Sequence, residues 1–239
     1  MRLAPILFLS FFNACECSFA DEILTSKRQS FNAAGVSNAR FETGGGKLVI
    51  DGRLAGSTIE VVAEYRGRAG SQEEAQRIID NLKLTMEVRG STFYLNTDQA
   101  HDWGWKDHGY IDLTISLPAG LNLDIHDGAG SMSVSGIDGD VAIEDGSGDI
   151  EVDGAKGNLK IGDGSGSIRI ENVAKNVQIH DGSGSIHVKH VGGDVWIEDG
   201  SGSIDVTDVA GRLEVPSGGS GSIHYSEVRG EVRVPKRRS

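Results

Sequence analysis

The 239 residues include 34 glycines but only four prolines and two cysteines, and they carry a formal net charge of −12. Glycine at about twice its usual share, without a Gly-X-Y period or much proline, excludes collagen. The acidic balance argues against nucleic acid as a partner, since a phosphate backbone calls for a basic face, and no run of eighteen apolar residues offers a membrane-spanning helix.

Residues 1–20 read as a secretory signal. Arg2 gives a positive start, Leu3 to Ala14 is an apolar stretch interrupted by Pro5 and Asn13, and Ser18-Phe19-Ala20 places small residues where a signal peptidase reads. Cys15 and Cys17 both fall inside this segment, so the exported chain carries no disulfide framework. A lipid anchor at Cys15 is the alternative, against which stands the poor lipidation box Phe12-Asn13-Ala14. The expected location is periplasmic or secreted.

Residues 21–108 are expected to form an N-terminal cap region with an early coil, one helix and a hairpin. Phe41 to Ile50, with Gly44-Gly45-Gly46, is a degenerate copy of a corner and strand that recur later. Leu48 and Ile50 would take columns 6 and 8 of that repeat, and Ile59 and Val61 columns 15 and 17 after a two-residue insertion. Ser71 and Glu74 make a capping box for a helix over residues 71–83, in which Ala75, Ile78, Ile79 and Leu82 form one apolar stripe. Residues 83–89 and 92–97 read as a hairpin turning near Gly90. His101-Asp-Trp-Gly-Trp-Lys-Asp-His108 holds two Trp and two His. Trp103 and Trp105 can stack on a sugar, or they can tuck over an open end of the fold. Ile111, Leu113, Ile115 and Leu117 then alternate along one strand face, and Leu121, Leu123 and Ile125 lead into the regular repeat.

Residues 109–235 carry the dominant signal. Asp127-Gly-Ala-Gly recurs as Asp-Gly-Ser-Gly from Asp145, Asp163, Asp181 and Asp199, each step 18 residues long; a sixth, altered copy spans Ser217 to Ile223. With Asp as column 1, column 6 reads Met132, Ile150, Ile168, Ile186, Ile204, and column 8 Val134, Val152, Ile170, Val188, Val206. Column 11 reads Ile137, Ala155, Val173, Val191, Val209 and is expected on a short third side. Column 15 reads Val141, Leu159, Val177, Val195, Leu213, and column 17 Ile143, Ile161, Ile179, Ile197, Val215. Apolar residues two apart mean strands with one buried face. One 18-residue copy cannot bury such a face alone, whereas stacked copies can, so the fold class is all-β: a parallel β-solenoid with 18-residue coils. The glycines at columns 2 and 4 mark the corner.

Asp127, Asp145, Asp163, Asp181 and Asp199 are expected to form a turn-forming ladder, each carboxylate accepting backbone N–H groups of its corner. A cation site is the sharper alternative, because carboxylates stacked about 4.8 Å apart repel unless hydrogen-bonded or neutralised. Calcium-binding solenoids carry their motif every nine residues on facing sides; here it comes once per coil, so neither a metal nor a cofactor is assigned. The outward columns 7 and 16 hold no polar ladder. Trp196 in column 16 joins Trp103 and Trp105 as candidate ligand contacts. The residues after Pro235, Lys236 to Ser239, make a short basic tail.

No His-Glu-x-x-His, Gly-x-Ser-x-Gly or Gly-Lys-Ser/Thr motif is present, and short uniform coils leave little from which to build a cleft. The chain is therefore read as no enzyme.

The Asp-Gly-Ser-Gly-Ser/Asp-Ile-x-Val corner, the helix from Ser71 to Leu82 and the Ile111-Asp-Leu-Thr-Ile-Ser-Leu-Pro-Ala-Gly-Leu-Asn-Leu123 run resemble a bacterial β-strand-repeat family of unknown function, often labelled adhesins. The resemblance covers roughly residues 31–234. It implies an exported β-solenoid and brings no catalytic residues with it; relatives often have Thr where this corner has Asp. The reading is a non-catalytic, envelope-associated or extracellular interaction scaffold whose partner is a surface protein or polysaccharide. The alternatives are a carbohydrate-binding or carbohydrate-active protein using the Trp103/Trp105 loop, and a calcium-stabilised solenoid.

Overall fold

A computed structural model describes residues 21–98 and 108–235. Residues 1–20 with Cys15 and Cys17, residues 99–107 with Trp103 and Trp105, and residues 236–239 lie outside the described residues.

The N-terminal elements are β1 (Asp21–Asn32), β2 (Asn38–Thr43), β3 (Leu48–Asp51), β4 (Thr58–Ala69), α1 (Gln72–Asn81), β5 (Lys83–Arg89), β6 (Thr92–Asp98) and β7 (His108–Ser116). The coils follow as strand pairs: β8 (Asn122–Asp127) with β9 (Met132–Ile137), β10 (Val141–Asp145) with β11 (Ile150–Ala155), and β12 (Leu159–Asp163) with β13 (Ile168–Val173). Then come β14 (Val177–Asp181) with β15 (Ile186–Val191), β16 (Val195–Asp199) with β17 (Ile204–Val209), β18 (Leu213–Gly218) with β19 (Ile223–Val228), and β20 (Val232–Arg233). One strand of each pair joins one sheet and its mate the other, giving two ten-stranded sheets in the orders β1-β4-β7-β3-β9-β11-β13-β15-β17-β19 and β20-β18-β16-β14-β12-β10-β8-β2-β6-β5. The result is a parallel β-solenoid of about six turns with one short helix.

The 18-residue period becomes exact register. Ile150 lies beside Ile168, Ile168 beside Ile186 and Ile186 beside Ile204, while Ile143, Ile161, Ile179 and Ile197 line up on the facing sheet. All of these side chains are buried, so each column is a continuous apolar ladder between the sheets. Leu48 and Ile50 sit beside Met132 and Val134, which makes β3 an early coil strand in the expected columns.

Column 11 departs from expectation. It is the end of the strand that carries columns 6 and 8, not a third side. The residue before it, at column 10, is Gly136, Gly154, Asn172, His190, Asp208 or Glu227, all with φ between 54 and 79°. One left-handed residue is left out of the ladder pairing, and the strand turns enough to point column 11 inward again. Asn, Asp and His tolerate this region better than most non-glycine residues do.

Ile59 and Val61 also depart from expectation. They are buried, but on β4, which runs antiparallel between β1 and β7 instead of taking columns 15 and 17 of a coil. β4 runs straight for 12 residues, where coil strands have five or six, and it lacks the paired glycines of a corner. It therefore cannot turn into the next coil and covers the end of the stack.

Helix α1 lies across this antiparallel layer and seats on two glycines. A Cβ at Gly67 would meet the Ala75 carbonyl oxygen at 2.5 Å, and one at Gly109 would meet Ile78 Cγ2 at 2.3 Å. Ala75, Ile78 and Ile79 are buried as the stripe predicts. Ser71 Oγ accepts the Glu74 N–H at 3.3 Å. Ser71→Ala is expected to lower stability by about 1 kcal/mol, read by urea unfolding.

The other end is open among the described residues. Tyr225 on β19 is 48% exposed, and Ile223, Val228 and Val232 are only half-buried.

Candidate functional site: the aspartate column

The strand that holds columns 15 and 17 continues to column 1. Side chains two apart share a face, so Asp145 follows Val141 and Ile143 inward, and the same holds in each regular coil. Asp127, Asp145, Asp163, Asp181 and Asp199 are between 1 and 8% exposed. The acidic column is therefore an inner ladder, not an edge.

Each carboxylate is half satisfied. Oδ1 of Asp145, Asp163, Asp181 and Asp199 accepts the N–H of the serine two residues on, at 3.3, 3.2, 3.1 and 2.9 Å, as in an Asx-turn. Asp127 Oδ1 instead accepts the Thr43 hydroxyl at 2.7 Å. In all five, Oδ2 is buried without a hydrogen-bond partner. Burial pushes the carboxyls of Asp127, Asp163 and Asp181 up to about 6, and neighbouring aspartates add to the rise. Asp145 and Asp199 are raised from the same first cause, burial.

The column extends into the N-terminal strands with different chemistry. Thr43 stands beside Asp127 and is followed, one strand further out, by Thr97, whose hydroxyl accepts the Gly44 N–H at 3.2 Å. At the far end Gly218 stands beside Asp199. Two hydroxyls, five carboxyls and a glycine thus occupy one file.

A second polar column, number 14, behaves in the opposite way. Asp140, Asn158, Asp194 and Arg212 each donate their backbone N–H to the Oδ1 of the residue one coil before, at 3.0, 2.7, 2.8 and 2.8 Å. This column faces solvent, with Asp194 half-buried, and Asp194 is held below the usual carboxylate range by the Arg212 backbone N–H and guanidinium. Position in the coil, not residue type, decides which way an aspartate shifts.

The corner packs more tightly than the sheets. Gly146, Gly164, Gly182 and Gly200 donate backward to the Asp carbonyl of the preceding coil, and Gly130, Gly148, Gly166 and Gly184 donate forward to a serine carbonyl of the next. A Cβ at Gly148, Gly166, Gly184 or Gly202 would fall 1.5–1.7 Å from the glycine oxygen one coil before. Outside this corner a groove is lined by Asp163, His180, Asp181, Glu198, Asp199 and Ser217. His180 Nδ1 lies 3.3 Å from Glu198 Oε2, and its ring is centred 4.6 Å from Trp196. Trp196 is thus placed on the outward face, half-buried against His180.

Among the described residues no group of three His, Cys, Asp or Glu side chains is arranged to hold a metal ion. Calcium takes six to eight oxygens, whereas each coil offers this file one uncommitted carboxylate oxygen. The inward turn of column 1 was readable, since Asp follows column 17 by two. The neutral members Thr43 and Thr97 were not, because no 18-residue step connects them to the repeat.

The family model described as Toastrack DUF4097 matches residues 54–232, well over half of the chain. No curated protein matches. Among solved structures, a "putative cell adhesion protein" from Clostridium sporogenes is 15% identical at a TM-score of 0.40, covering 90% of this chain and 96% of that one. A "putative adhesin" from Bacteroides fragilis is 14% identical at 0.38, covering 88% and 96%, and one from Parabacteroides distasonis is 15% identical at 0.38, covering 89% and 97%.

Proposed function

The chain belongs to the Toastrack DUF4097 family, and we propose that it serves as an exported, non-catalytic scaffold that presents a rigid two-faced surface to an envelope or extracellular partner. The observation that supports this reading is the contrast between inside and outside. Interior columns repeat coil after coil, while the residues between them on both outer faces do not: Glu151, Arg169, His187 and Asp205 run along one sheet, Lys160, Gln178, Trp196 and Glu214 along the other. Regularity is confined to what stacking needs, and the varied outer faces are free for contact. No helix among the described residues is long and apolar enough to cross a membrane.

The test has two parts. The full chain, tagged at its C-terminus, is followed by cell fractionation and by sequencing of its mature N-terminus. Export with an N-terminus near Asp21 is expected; a cytoplasmic chain that retains Met1 would reject the reading. Purified protein is then sedimented with isolated envelopes. Gln178→Ala together with Trp196→Ser is expected to weaken co-sedimentation at unchanged melting temperature, and binding that follows neither outer face would count against a contact scaffold. In the carbohydrate reading, Trp103 and Trp105 lie outside the described residues, so a glycan array with Trp196→Ser decides whether that aromatic is a sugar platform.

A further inference from the structure

We propose that the aspartate column is a proton-holding spine: its carboxyls carry protons at the Oδ2 atoms that no other group satisfies, and the coil stack tightens as those protons bind. Three geometric facts lead there. The five carboxyls form one inward file, with coils about 4.8 Å apart and each side chain more than nine-tenths buried. Each spends Oδ1 on its corner or on Thr43 and leaves Oδ2 buried and unpartnered. The same file begins with Thr97 and Thr43, neutral groups that can both donate and accept, so the slot is built for an uncharged hydrogen-bonding side chain. A protonated carboxyl is such a group, whereas a carboxylate can only accept.

The charged surroundings offer no substitute for the proton. The groups that act on the five are other acids, corner N–H groups and the Thr43 hydroxyl; Asp149 acts on Asp163 in the unfavourable sense. On the same strands the outward flanking residues are His126, Glu144, His180 and Glu198, and His180 and Glu198 also line the groove outside the corner. The His180 ring is already engaged by Glu198 and Gln178. Across the interior column 6 is apolar, as is column 17 beside each aspartate on its own strand. Neither lysine nor arginine acts on the file, and five negative charges in an apolar wall repel one another.

The sign follows from linkage. Carboxyls raised to about 6 in the folded state, against about 4 unfolded, make the folded chain bind more protons between those values. Stability is then gained as pH falls through about 6 and lost as pH rises past it. That is the reverse of an ion-paired aspartate such as Asp194.

The experiment is denaturant unfolding of the full chain across pH, comparing wild type with Asp163→Asn/Asp181→Asn. Between about pH 7.5 and about pH 5 the wild-type unfolding constant is expected to fall about tenfold for each aspartate raised to about 6. The double variant is expected to be more stable than wild type near neutral pH and to lose about a hundredfold of that dependence, because Asn keeps the Oδ1 acceptor and carries no charge at any pH. A wild type whose stability is flat or falls on acidification overturns the proposal, as does a double variant that keeps the full slope. Added calcium that stabilises wild type but not the variant near neutral pH, with chelator reversing it, also overturns it by putting a cation in the proton's place. If the double variant fails to fold, infrared spectra of wild type decide. A protonated-carboxyl band in the folded chain near pH 6 that disappears on unfolding is expected, and its absence defeats the idea. None of these outcomes depends on whether the chain is exported.

Discussion

Gly184→Ala is expected to destabilise the protein by about 3–5 kcal/mol, the sum of a strained backbone and an overpacked contact. Gly184 has φ +153°, a region L-residues rarely adopt. Its added Cβ would lie 1.6 Å from the Gly166 oxygen. That neighbour is backbone, so no side chain can swing aside, and the two coils would have to separate at the corner. Separation would weaken the Gly166 N–H to Ser183 carbonyl bond at 3.0 Å and the Gly182 N–H to Asp163 carbonyl bond at 2.9 Å. Gly154 supplies the control. It too has positive φ, +79°, but the nearest heavy atom to its added Cβ is the Gly136 nitrogen at 3.6 Å. Other coils place Asn172, His190 and Asp208 in that same left-handed position. Gly154→Asn is therefore expected to change stability by less than about 1 kcal/mol. Parallel urea titrations of the two variants separate close approach from backbone conformation. A Gly184→Ala protein as stable as wild type would mean that the corners do not stack as described.

What the sequence made legible follows from how the repeat works. Identical columns at 18-residue spacing have one way to pair, so Ile150 beside Ile168 could be read before any coordinates. The helix was legible because Ser71, Glu74 and the Ala75-Ile78-Ile79 stripe are local signals. The cap was harder. Ile59 and Val61 alternate as a coil strand would, and alternation alone does not say whether the next strand runs parallel or antiparallel. The missing glycine corner within β4 was the available clue. The left-handed column 10 hides behind changing residue types, Gly154, Asn172 and His190 among them, because the constraint falls on backbone conformation and not on side-chain identity. The aspartate column was readable from its 18-residue step, and counting two residues on from column 17 turns it inward. Its half-satisfied state depends on which backbone N–H groups reach Oδ1, and no spacing rule contains that.

Ile186→Asp should cost about 3–5 kcal/mol, whereas His187→Asp, one residue on, should cost less than about 1 kcal/mol. Ile186 is fully buried in column 6 between Ile168 and Ile204. Its own N–H already donates to the Ser203 carbonyl at 2.9 Å, and its neighbours in the ladder are apolar. A carboxylate there would gain no Asx-turn donor of the kind that Asp181 receives from Ser183. The stack tolerates a buried acid in column 1 because the corner meets it halfway; column 6 lies on a flat sheet whose N–H groups are committed to the ladder. Each coil also supports the next, so a gap at Ile186 weakens the coils on both sides, and the loss is expected as a lower unfolding midpoint for the whole stack. His187 points outward, with Arg169 beside it on one coil and Asp205 on the other. An aspartate in its place is drawn to Arg169 and repelled by Asp205, two exposed interactions that largely offset each other. Circular-dichroism melts of the two variants check the assignment, and equal losses would show that columns 6 and 7 do not face opposite sides of the sheet.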